Sequence, residues 1–231
     1  MTSLSRCVVK GFLSAGMLTL ALPAMALEQG DLLLRVGVAS LHPDDSSGAF
    51  TSSTAGALRG TAVQVNKDTK LGLDVVYMLS NSIGLEFTTA IPFEHDLSVR
   101  GLRAYGVKGS DLGSFRQLPS TVSALYYFGP VGAKLRPYAG LGVNYTTFFN
   151  ESLSRGVRTD LAARRLQLED SVGLSANVGF DWELSPRWLA NGSLRRIDMD
   201  TKASLQSSLG GLKSKVSIDP YVYSVAVAYK F

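Results

Sequence analysis

The stretch YVYSVAVAYKF, residues 221–231, alternates without interruption. Tyr221, Tyr223, Val225, Val227, Tyr229 and Phe231 fall on one side, and Ser224, Ala226, Ala228 and Lys230 on the other. Successive side chains of a β-strand point to opposite faces, so this strand has one bulky apolar face and one small or polar face. The same period recurs upstream. Leu32, Leu34, Val36 and Val38 oppose Leu33, Arg35, Gly37 and Ala39. Residues 71–79, 83–91, 122–128, 141–146 and 172–182 repeat the pattern, and residues 188–200 carry its least regular version. Eight strands result.

Two kinds of barrel satisfy such alternation. A soluble one turns its apolar face inward, whereas a membrane-spanning one turns it to lipid and keeps the polar face inside. The aromatics separate them. Tyr77, Phe128, Phe180, Trp182, Trp188, Tyr229 and Phe231 all fall near short connections. An interfacial girdle belongs there, whereas core aromatics would scatter along the strands. Connection lengths agree, because short links near residues 80–82, 129–130 and 185–187 alternate with long ones near 41–60, 96–116, 150–166 and 201–215. A meander of this kind places every long loop at one end and both termini at the other. A short helix is expected over Thr159–Arg165. The fold expected is therefore an all-β, eight-stranded, antiparallel up-and-down transmembrane barrel, in which the first and last strands pair because lipid satisfies no open edge.

The N-terminus reads as an export signal. Arg6 and Lys10 precede an apolar run, Gly11–Leu22, and Pro23 breaks it before Ala24-Met25-Ala26. The run is too short for a comfortable helical span. Cleavage after Ala26 leaves residues 27–231 as one domain and removes Cys7, the only cysteine. Disulfide scaffolds and cysteine-ligated metals are thereby excluded from the mature chain. With Arg6 and Lys10 gone, 23 basic residues become 21 against 19 acidic, and the formal charge falls from +4 to +2. No basic cluster points to nucleic acid.

Several strings resemble the outer-membrane protein W (OmpW) family: VGVASLHPDD (36–45), DTKLGLDVVYMLSNSIGLE (68–86), IPFEHDL (91–97), YYFGP (126–130), LRPYAGLGVNYTTFF (135–149), IDMDT (197–201) and IDPYVYSVAVAYKF (218–231). They span essentially the whole mature chain. The resemblance implies an eight-stranded barrel of the bacterial outer membrane, set among outer-membrane lipid and lipopolysaccharide. It also implies a narrow, largely apolar channel for passive movement of small hydrophobic molecules, with a sideways exit through the wall. The final Phe231 fits the signal read by the barrel-assembly machinery. Departures from the family pattern are Arg195 and Arg196, where aromatics are expected, and Tyr221, where tryptophan is usual.

Residue parity nominates the functional positions. Arg35, Asp74, Glu86, Asp181 and Lys230 are expected to point inward, joined by Arg195, as a polar plug in the periplasmic half. An eight-stranded interior has room for little besides side chains, so a wide aqueous pore is not expected. Pro92 and Pro119, late in the third strand and early in the fourth, cannot donate to the ladder. Either they merely terminate their strands, or their seam parts near its outer end, with Ile91, Phe93, Leu97 and Leu118 lining the exit. Phe50, Leu58, Leu102, Tyr105 and Phe115 are apolar residues of the long connections. They form either an external apolar entrance or the packing of one loop on another. His42 and His95 are the only histidines. No motif joins them to a nucleophile or a metal, so neither catalysis nor a cofactor is expected. The alternative to a channel is a structural or adhesive barrel whose external loops bind a partner.

Overall fold

The computed structural model describes residues 27–231 except 45, 48, 55, 102, 104–108 and 209, so the expected signal peptide lies outside it. In chain order the strands are β1 (Leu32–His42), the two-residue β2 (Ser46–Ser47), β3 (Thr51–Ser52) and β4 (Gly56–Ala57), then β5 (Ala62–Val65), β6 (Asp68–Met78), β7 (Ile83–Ala90) and β8 (Phe93–Arg100). There follow β9 (Asp111–Tyr127), β10 (Leu135–Leu153), helix α1 (Arg155–Asp160), β11 (Arg165–Leu168), β12 (Ser171–Glu183), β13 (Trp188–Ile197), β14 (Asp200–Ser207), β15 (Gly210–Ser217) and β16 (Tyr221–Lys230). Strands β1, β6, β7, β9, β10, β12, β13 and β16 pair antiparallel in that order, and β16 closes on β1 through ten residue pairs from Leu33↔Lys230 to His42↔Tyr221. Closure leaves this ring without a free edge, as a chain surrounded by lipid requires.

The wall is inside out relative to a soluble barrel. Leu141, Val172 and Val225 are each more than 70% exposed on the outside, while Arg35 and Glu86 are 1% exposed within. Tyr77, Phe128, Phe180, Trp182, Trp188 and Phe231 stand exposed on the outer surface beside the short turns. Burying none of these rings is tolerable only where lipid replaces water around them.

At the opposite end the structure departs from the loop expectations. Much of the four long connections is strand, not irregular loop. The third barrel strand ends at Ala90, and β8 continues along the outer half of β9, which begins at Asp111 rather than near residue 122. Strand β5 adds to β8, while β11, β14, β15, β3 and β4, with β2 also paired to β15, form a second sheet. Between these sheets lies an apolar core that includes Phe50, Leu58, Leu97, Val99, Leu112, Phe115, Phe148, Leu205 and Leu212. Phe50, Leu58 and Phe115 are thus buried packing residues and do not form an external entrance; Leu102 and Tyr105 lie outside the described residues. The helix also lies earlier than expected, at Arg155–Asp160. Ser154 caps its start by accepting from the Val157 amide, and Ala162 stops it by adopting φ 47°.

Candidate functional site

The interior of the barrel falls into layers. Lowest is an apolar stopper of Leu27, Leu33, Val76, Met78, Leu125, Tyr127, Tyr138, Leu189 and Ala228. Gly179 makes space for it, because a Cβ there would stand 2.5 Å from the Tyr138 hydroxyl. Arg136 locks the rim at the short-turn end by donating to the carbonyls of Leu27 (2.8 Å) and Asn81 (2.7 Å), with its guanidinium 5.1 Å from the Tyr127 ring. Lys230 lies at the same rim, 3.7 Å from Asp31.

Above the stopper, four charged side chains from four strands alternate in sign. Arg35 of β1 bridges Asp181 of β12 (2.6 Å) and Glu86 of β7 (3.0 Å), and Arg195 of β13 reaches the other Glu86 oxygen at 2.6 Å. The remaining bonding capacity is largely filled. Tyr127 and Asn191 donate to Asp181, and Asn177 donates to Glu86. Arg195 also donates to Ser123, Ser175 and Thr88. Two cations and two anions cancel, which is the condition under which charges survive burial. Parity locates Arg35, Glu86, Asp181 and Arg195 from sequence. Tyr127, Arg136, Asn177 and Asn191 occupy inward positions of alternating strands too, but parity alone does not mark them as partners of these charges. Asp74 is not in ion-pair contact with this chain of charges and borders the space above it.

That space is a cavity of about 40 Å³, enough for a few water molecules. Small inward residues create it: Gly37, Ala39, Gly72, Ala90, Ser193, Ser224 and Ala226, with Asp74 and Arg195 on its floor. Its wall includes Thr88, Thr89, Ala90, Phe93 and Pro119, the two sides of one seam. There the β7–β9 ladder stops at Thr88↔Thr121, and pairing resumes only at Phe93↔Gln117, one residue out of register. Between these points the side-chain contact is Thr89 Oγ1 to Ser120 Oγ, at 3.5 Å. Pro92 and Pro119 both lie in the interval and bring no N–H to it. Ile91 projects outward, 52% exposed, and Leu118 is half-buried on the outer face. Phe93 points into the cavity, whereas Leu97 belongs to the external core and is not at the seam.

Leu41 packs with Ala39 and Phe93, two residues that line the cavity. Just outside, His95 is wholly buried between the rings of Phe93 and Phe115. Its Nδ1 is 2.6 Å from the Asn66 carbonyl, which can only accept, so Nδ1 carries the proton and Nε2 accepts from Gln117 at 2.9 Å. Burial pulls the His95 pKa below the usual imidazole range. Among the described residues no cluster of His, Cys, Asp and Glu has the geometry of a metal site.

The OmpW family model matches residues 28–231. Outer membrane protein W of Vibrio cholerae serotype O1 is 38% identical over 211 residues, 90% of this chain and 92% of that protein. The crystal structure of the outer membrane protein OprG from Pseudomonas aeruginosa superposes with a TM-score of 0.84 at 38% identity, covering 90% of this chain and 98% of that one. The solution structure of the Escherichia coli outer membrane protein W gives 0.58 at 34% identity, over 88% and 99%.

Proposed function

Because the chain belongs to the OmpW family of outer-membrane barrels, we propose that it serves the passive passage of small hydrophobic molecules through a narrow lumen that opens sideways between β7 and β9. One observation carries the reading: the lapse in pairing between the third and fourth barrel strands borders the cavity, and Pro92 and Pro119 lie within it. The salt-bridged layer and the stopper bar the axial route to the periplasm. Moving a solute past them would break buried ion pairs, at a cost of several kcal/mol. Parting an unpaired seam breaks no ladder bond. A solute leaving there meets hydrocarbon, so the route suits apolar cargo. In this reading Pro92, Pro119, Ile91, Phe93 and Leu118 form the exit, and the signal peptide has been removed on export.

The test is uptake of a small apolar solute into liposomes carrying the refolded mature barrel, compared with a Pro92→Val, Pro119→Val double variant. Heat-modifiable migration first establishes that both are folded. Uptake above protein-free liposomes that the variant loses is the expected result. Equal uptake by both would sink the side exit. No uptake by either would favour a second reading, a structural or adhesive barrel, for which the closed lumen and the well-packed external sheets speak.

A further inference from the structure

Arg196 takes no part in the lumen. It is exposed on the outer wall of β13, cross-strand from Tyr221 of β16. Its Nη1 donates to the Tyr221 hydroxyl at 3.0 Å, and its guanidinium lies 5.3 Å from that ring. Among the described residues it has no ion pair with a carboxylate.

The same pair of strands carries a matching contact at its other end, where Arg187 donates to Tyr229 beside Trp188. The wall between the two arginine–tyrosine contacts presents Leu194, Tyr223, Val225 and Val227 outward. Trp188 and Arg196 are eight residues apart. At about 3.3 Å per residue and a tilt near 40°, that is about 20 Å along the membrane normal, close to the height of a barrel's apolar band. Arg196 therefore stands at the external edge of the band. A polar row marks the same level on the neighbouring strands, with Ser40 bonded to His42 (3.0 Å) and to Thr69 (2.8 Å).

We propose that Arg196 and Tyr221 dock a phosphate monoester of an outer-leaflet glycolipid against the wall of the barrel. A guanidinium on a lipid-facing wall is tolerated at this depth, and an anion that reaches it from the bilayer makes it favourable. The chemistry fits. With Nη1 occupied by Tyr221, the other edge of the guanidinium remains for two parallel bonds to phosphate oxygens. The Tyr221 hydroxyl accepts from Arg196, so its own proton is free for a third.

The experiment refolds the mature protein into phosphatidylcholine vesicles doped with equal amounts of bisphosphorylated lipid A and its dephosphorylated form. Lipid retained per barrel is then counted by native mass spectrometry. Retention of the phosphorylated form is expected to exceed the other about fivefold, the effect of one arginine at a charged surface. With both lipids confined to the leaflet that Arg196 faces, Arg196→Gln should abolish the preference, Arg196→Lys should keep part of it, and Arg187→Gln at the opposite edge should leave it intact. Absence of a preference in the wild type, or its survival in Arg196→Gln, would overturn the proposal. Inorganic phosphate, added to barrels in phosphatidylcholine alone, should not shift heat-modifiable migration. A shift lost in Arg196→Gln would assign the site to free phosphate and overturn the lipid.

Discussion

Glu86 is the residue on which the buried charges turn. It accepts from Arg35, Arg195 and Asn177 while itself 1% exposed. Glu86→Gln keeps the shape but leaves Arg35 with Asp181 alone and takes from Arg195 its ion-pair partner. Removing one partner of a buried ionic network costs about 3–5 kcal/mol. The urea midpoint of the refolded barrel should fall accordingly, and an unchanged midpoint would mean that water, not Glu86, compensates the arginines. The four members of this chain of charges were legible one at a time, because a charged residue at an inward parity has nowhere else to point. Their pairing was not. Arg35 and Asp181 belong to strands that are not neighbours in the wall, and they meet only across the lumen. Asp74 shows the limit, since its parity matches theirs and it still lies outside their ion pairs.

At the scale of the element, the lipid-facing strands were easy to read because hydrocarbon outside and polar groups inside impose opposite demands on alternate residues. The external strands hid behind polar composition. Thr201, Ala203 and Leu205 alternate with Lys202, Ser204 and Gln206, and Leu212, Ser214 and Val216 alternate with Lys213 and Lys215. The signal is period two throughout, but the outward residues are those of a water-facing surface, so the segments resembled loop. The α1 boundary failed for a different reason. So short a helix is set by its cap and its stop, and the stop, Ala162, falls inside the Thr159–Arg165 segment expected to be helical. Strand β16 closes the ring, and its last backbone contact is the Phe231 amide donating to the Leu32 carbonyl at 2.9 Å. Phe231 also continues the ring contacts of Trp188 and Tyr229. Deleting Phe231 should lower the yield of heat-modifiable protein in outer membranes while leaving detergent refolding nearly intact. Equal yields in both settings would argue against a role as an assembly signal.

Over the whole molecule, the position in the bilayer follows from the girdle. Trp182 and Trp188 are the only tryptophans, and both are exposed on the outer wall at the short-turn end. Their fluorescence should be quenched most by bromines placed near the headgroups of the periplasmic leaflet and least by bromines at the acyl-chain ends. The opposite order would put the barrel at another depth. The charged layer also bears on how such a molecule comes into being. Arg35 and Glu86 lie 51 residues apart in the first half of the chain, whereas Asp181 bonds Arg35 from 146 residues away and Arg195 bonds Glu86 from 109. Each half of the polypeptide thus contributes one cation and one anion to the layer. Neither half carries a net charge from these four groups into the bilayer before the other arrives. The joining of the two halves then unites two sets of charges that each sum to zero, and the ion pairs of Asp181 and Arg195 wait for that meeting.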